Sequence, residues 1–208
     1  MISWEDALER LREGNRRFVS DEEDPSMLTN QAKRRELTAG QTPFAIVLGC
    51  SDSRVPVEIV FDQGLGDLFV IRVAGNVVAP SLVGSVEFAA HTFGTRLVVV
   101  LGHSNCGAVT ATIDELERPA ASRSPNLRSI VDRIRPAIDD LRDTELREDR
   151  DALLAHAVRA NIRASANQLR HGSQILEDLI ENGGLRVVGA EYSLETGVVD
   201  FFDGVPAS

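Results

Sequence analysis

The chain has 208 residues, 43% of them hydrophobic and 26% charged, with a formal net charge of −10 at pH 7. That is globular composition, long enough to bury a sizeable core, and its acidity argues against a nucleic-acid partner. Two cysteines, Cys50 and Cys106, exclude a disulfide scaffold. The N-terminus shows no basic, apolar leader, and no apolar run approaches the roughly 20 residues of a membrane span, so a protein of the cytoplasm is expected. Its thiols would then be free, metal-bound or catalytic.

Apolar residues at Trp4, Ala7, Leu8, Leu11 and Phe18 form one stripe of a helix over 4–18, with Ser3 and Asp6 resembling a capping box. A second helix is expected over 27–37. The period then changes. Short apolar runs over 44–48, 68–73 and 97–101 predict strands buried on both faces. A helix is expected over 82–90, between the second and third runs. Helices are predicted over 106–116, near 126–142 and over 149–182. A fourth strand over 185–190, a turn at Ser193 to Gly197 and a fifth strand over 198–202 close the chain as an antiparallel hairpin. The pattern predicts one α/β domain over 1–208: N-terminal helices as an arm over 1–40, then a core over 41–208. That core is a mostly parallel, mixed sheet of about five strands flanked by helices.

Two segments carry chemistry. Gly49-Cys50-Ser51-Asp52-Ser53-Arg54 follows the first strand, and Gly102-His103-Ser104-Asn105-Cys106-Gly107 the third. Carboxyl ends of parallel strands are where open α/β sheets place ligands. His103 and Cys106 can meet at one tight turn, with Cys50 a third ligand from a neighbouring loop. Two thiolates and an imidazole suit Zn²⁺, and three protein ligands leave a coordination position open for catalysis. Asp52 is available as a fourth ligand, and Arg54 is placed to pair with it, so Asp52 reads as a switch between metal and guanidinium. The competing readings are two inert buried thiols, or a redox pair. A redox pair usually takes the Cys-x-x-Cys form, whereas here 56 residues separate the two.

Together, Cys50-Ser51-Asp52-Ser53-Arg54 and Gly102-His103-Ser104-Asn105-Cys106-Gly107 resemble the signature segments of the β-class carbonic anhydrases. These zinc enzymes interconvert carbon dioxide and bicarbonate. The resemblance runs from the N-terminal helices to the last strands and is densest from Gln41 to Gly107. It implies Cys50, His103 and Cys106 as ligands of one zinc ion per chain, and Asp52 with Arg54 as the family's dyad. It also implies a substrate site of Gln41, the aromatic walls Phe69 and Phe88, and the Gly107 N–H as an anion donor. Gln41 and one aromatic would come from a partner chain, so a homodimer or homotetramer is implied.

Val47 stands where some members carry the Trp of an inhibitory bicarbonate site, so that regulation is not expected, although Arg72 matches the site's Arg. Ala74 replaces a larger pocket residue. His91 is expected in a core or interface, and His156 and His171 in solvent. The Arg-rich stretch from Arg118 to Arg135 is expected to be a solvated or intersubunit face.

Zinc lowers the pKa of its bound water to about 7 in the three-histidine carbonic anhydrases. Two thiolates neutralise the ion and would acidify that water less, so a higher operating pKa is expected here. With Arg54 holding Asp52 off the metal, Asp52 would orient zinc-bound hydroxide toward carbon dioxide. With Asp52 on the metal the site would close, so activity is expected to rise with pH. The alternatives are a same-fold enzyme acting on carbonyl sulfide or carbon disulfide, and a non-catalytic zinc-binding or thiol-redox protein.

Overall fold

The computed structural model describes residues 2–23, 31–117 and 124–206. Residues 27–30 of the expected second helix, and 118–123 of the Arg-rich stretch, lie outside them. Helix α1 (Trp4–Val19) starts as its sequence requires: Ser3 Oγ accepts the Asp6 N–H at 3.1 Å. A short α2 (Gln31–Glu36) follows, then β1 (Ala45–Gly49), one turn of α3 (Val57–Val60), β2 (Leu68–Arg72), α4 (Pro80–Thr92), β3 (Leu97–His103) and α5 (Gly107–Glu117). The second half holds α6 (Pro125–Ile138), α7 (Arg150–His171), α8 (Gln174–Asn182), β4 (Arg186–Tyr192) and β5 (Val199–Asp203).

Among the described residues the strands form one sheet in the order β2-β1-β3-β4-β5, parallel except for the β4–β5 hairpin. Strand order reverses direction at β1 and β3, so the loops leaving their carboxyl ends diverge and open a crevice between them. Period-2 alternation sends Ile46, Leu48, Val98 and Val100 to one face, where α4 through α8 pack. Ala45, Val47, Val99 and Leu101 point to the other face, against Ala7, Leu8 and Leu11 of α1 and against Phe61.

Three expectations shift. The second apolar run is not buried on both faces: among the described residues β2 is an edge strand paired only with β1, and its residues grade from buried Leu68 to exposed Arg72. The third strand runs on to His103, because Gly102 and His103 pair with Glu191 and Tyr192 of β4. The expected 149–182 helix is two helices, parted at Gly172 and restarted by Ser173, whose Oγ accepts the Leu176 N–H.

Candidate metal centre

Adjacent parallel strands deliver the site. Gly49 of β1 pairs in register with Leu101 of β3, so Cys50 and His103 leave the sheet side by side. After His103 the chain turns sharply through Asn105, in the left-handed region at φ 55°, and Cys106 immediately precedes α5. One ligand atom each from Cys50, His103 and Cys106 lies within 4.8 Å of the others, and all three residues are buried. Both cysteines are free.

The imidazole is set for a metal. His103 Nδ1 donates to the Ser104 carbonyl at 2.9 Å, so in the neutral imidazole Nε2 is the nitrogen whose lone pair is left for a metal. Nε2 is buried without a hydrogen-bond partner among the described residues. A buried acceptor with no donor is costly, and a cation at this point removes that cost. The thiols point the same way. Cys50 is drawn well below the usual thiol range, chiefly by the Cys106 thiol against the pull of burial, and further by His103 and the N–H groups of Gly75 and Asp52. Cys106 is pushed well above its usual range by Cys50 and by burial. Two thiolates this close cannot both ionise unaided; a dication lets them. The donor set of two thiolates and one imidazole fits Zn²⁺.

The acid beside the trio is strongly held. Arg54 grips Asp52 by its fork, Nε to Oδ1 at 2.9 Å and Nη2 to Oδ2 at 2.7 Å, and the Arg54 N–H adds 3.0 Å to Oδ1. These bonds hold the Asp52 carboxyl below the usual carboxylate range, so it is ionised at neutral pH. Its Oδ2 stands 3.8 Å from His103 Nε2.

The remaining candidates are distributed. Gly107 is exposed and opens α5, so its N–H belongs to the set without an intrahelical acceptor. Phe69 and Phe88 meet at 6.2 Å between ring centroids and share Phe93 as a third ring; Phe88 is 53% exposed. Gln41 is exposed and lines a separate hollow of about 610 Å³ with Arg34, Leu37 and Leu65, which none of the trio lines. Val47 is fully buried within β1. His91 lies exposed on α4 rather than in a core, and His156 and His171 are exposed as expected.

Sequence reading missed the supports. Arg72, at the end of β2, donates Nε to the Cys50 carbonyl at 3.0 Å and Nη2 to the Asp52 carbonyl at 2.6 Å. The loop is further stitched by Val73 N–H to Gly49 O and Ser51 N–H to Val73 O. Gly75 donates its N–H to Cys50 Sγ at 3.3 Å, and Asn161 holds the Gly75 carbonyl at 2.8 Å. Only the residue types were legible in advance, because a lone Asn in a helix carries no signal.

Comparison with known proteins agrees with this geometry. The carbonic anhydrase family model matches residues 45–199. Carbonic anhydrase 2 of Mycobacterium tuberculosis is 37% identical over 194 residues, 92% of this chain and 89% of the relative. The carbonic anhydrase of Mycolicibacterium smegmatis is 38% identical over 195 residues, covering 93% and 91%. Among solved structures, the β-carbonic anhydrase CcaA superposes with a TM-score of 0.75 at 25% identity, over 95% of this chain and 96% of that one. A Sordaria macrospora β-carbonic anhydrase superposes at 0.74 and 22% identity, covering 86% and 89%, which speaks for the fold alone. With a buried cluster of two cysteine sulfurs and one imidazole beside a clamped carboxylate, this chain belongs to the β-class carbonic anhydrases, the zinc enzymes that hydrate carbon dioxide.

Proposed function

We propose that Cys50, Cys106 and Nε2 of His103 hold one Zn²⁺ per chain, and that carbon dioxide is hydrated reversibly to bicarbonate and a proton beside them. The observation that carries this reading is the buried trio with its unpartnered Nε2, set next to an ionised acid. When bound, zinc supplies a nucleophile from water at a pH where free hydroxide is scarce.

The side chains do the rest. Asp52 Oδ2 accepts a hydrogen bond from the attacking water and turns a lone pair toward the carbon of the substrate. Arg54 occupies both carboxylate oxygens and so fixes that orientation. Asp52 is also the proposed fourth ligand of a closed state, which the Arg54 fork opposes. Phe69 and Phe88 form apolar walls that favour an apolar gas over water. The Gly107 N–H, together with Gln41 from a second copy, grips the developing bicarbonate oxygens.

A homodimer is the proposed smallest active unit, with pairing into a homotetramer as the larger form. The half-exposed Phe88 and the open edge of β2 support it, and the Sordaria macrospora structures are of tetrameric enzymes. The full chain is proposed to act as one domain, since α1 packs on the sheet face to which β5 contributes Val199 and Phe201. No helix among the described residues is long and apolar enough to cross a membrane. A reduced thiol pair suits the cytoplasm, the proposed location.

The deciding experiment joins metal analysis to stopped-flow hydration with a pH indicator. One zinc per chain and rapid hydration are expected. Bound zinc with no hydration at any pH would overturn the reading in favour of a non-catalytic zinc protein. Faster turnover of carbonyl sulfide than of carbon dioxide would give the site to the other substrate class.

A further inference from the structure

We propose that Asn161 is a positioning residue for the metal centre: through the backbone of Gly75 it aims an N–H at the Cys50 sulfur and sets that thiolate's strength as a ligand. The proposal rests on Cys50 being a zinc ligand.

The chain of contacts is short and buried. Asn161 sits on α7, 2% exposed, and its Nδ2 donates to the Gly75 carbonyl at 2.8 Å. The N–H of Gly75 in turn donates to Cys50 Sγ at 3.3 Å. Gly75 is left-handed, at φ 68° and ψ 21°, and the next residue, Asn76, is left-handed too. A Cβ at Gly75 would come within 2.9 Å of both Ala108 Cβ and Ile134 Cδ1, so a side chain there would be strained and would force its neighbours to shift. A glycine has little conformational preference of its own. The direction of its N–H therefore has to be fixed from outside, and Asn161 is the side chain that holds its carbonyl. On the other flank, Asn76 N–H to Val73 O ties the turn to the residue that follows β2.

The consequence is electronic as well as steric. An N–H donated to a thiolate withdraws charge from sulfur and makes it a weaker donor to the metal. Outer groups of this kind tune a metal site without touching the ion. If Asn161 only satisfied a buried carbonyl, its loss would lower stability and leave the sulfur unchanged.

Cobalt-loaded protein separates the two roles. In Asn161→Leu, and in the same-shaped Asn161→Asp, the thiolate-to-cobalt charge-transfer band is expected to move to longer wavelength. Ala166→Gly, a buried change on the same helix, should lower the melting temperature and leave the band in place. A folded Asn161 variant with the parent band, or an equal shift in Ala166→Gly, overturns the proposal. In the parent loaded with an NMR-active cadmium isotope, the Gly75 amide proton should couple to the metal across the Cys50 sulfur. Absence of that coupling overturns it whether or not the variants fold. Cys50→Ser with cobalt bound and an unchanged band would instead remove the ligand assignment itself, and this proposal with it.

Discussion

Cys50 and Cys106 differ in their proton affinity although they share one buried space, the first drawn down and the second pushed up. On the proposed reading a single cation between them would remove the difference, and each would be needed to hold it. Cys50→Ser and Cys106→Ser are expected to reduce zinc, measured by elemental analysis of dialysed protein, to background. Arg54 has a different task. Arg54→Ala should keep zinc and lower the hydration rate roughly a hundredfold, the scale of a positioned proton acceptor. Arg54→Lys should restore little, because an ammonium cannot reproduce the two-pronged grip. Loss of zinc from folded Arg54→Ala would contradict this division of labour. Arg72 holds the two carbonyls that carry Cys50 and Asp52 into place. Arg72→Ala should speed zinc transfer to a chelator by about tenfold, the cost of removing a group that orients a ligand. The His103–Cys106 spacing and the Asp52–Arg54 pairing were legible because each pair lies within a few residues. Asn161 was not, since it meets Gly75 across 86 residues of chain.

The helix α1 shows how an element is fixed by one small residue. Gly14 faces the Phe61 carbonyl so closely that a Cβ would stand 1.8 Å from its oxygen. That obstacle is backbone and cannot swing aside. Gly14→Ala should therefore push α1 off the sheet and cost about 3 kcal/mol, the upper range for overpacking. A thermal melt should fall by roughly 10 °C for a chain of this size; an unchanged melt would deny the close approach. The neighbouring Asn15 ties the same helix down with three bonds, Nδ2 to Val60 O and Gly197 O, and Oδ1 accepting from Val199 N–H. The apolar stripe of α1 was visible in the sequence, as were its cap and approximate length. Its docking partner was not, because helical periodicity identifies a buried face without saying what covers it. The same gap explains β2: continuous apolar character does not separate a central strand from an edge strand whose outer side is open.

At the scale of the molecule, the candidate site is divided between places that this chain alone does not join. The metal trio lies in the crevice at the ends of β1 and β3, and Gln41 in a hollow that the trio does not line. A second copy is the proposed means of joining them. Phe88→Asp, which puts a charge on the half-exposed ring cluster, should shift the sedimentation profile toward monomer and lower hydration at least tenfold. Full activity in a monomeric Phe88→Asp protein would remove the partner's role.

The sequence by itself determined the class of fold, the order of strands and helices, and the chemistry of the donors. Hydrophobic period, caps and local motif spacing are short-range properties. Only the tertiary structure decided that β1 and β3 are neighbours, that Cys50 meets His103 and Cys106 within 4.8 Å, and that Arg72, Gly75 and Asn161 hold the site in place. Those contacts join residues far apart in the chain, and packing, rather than local pattern, brings them together.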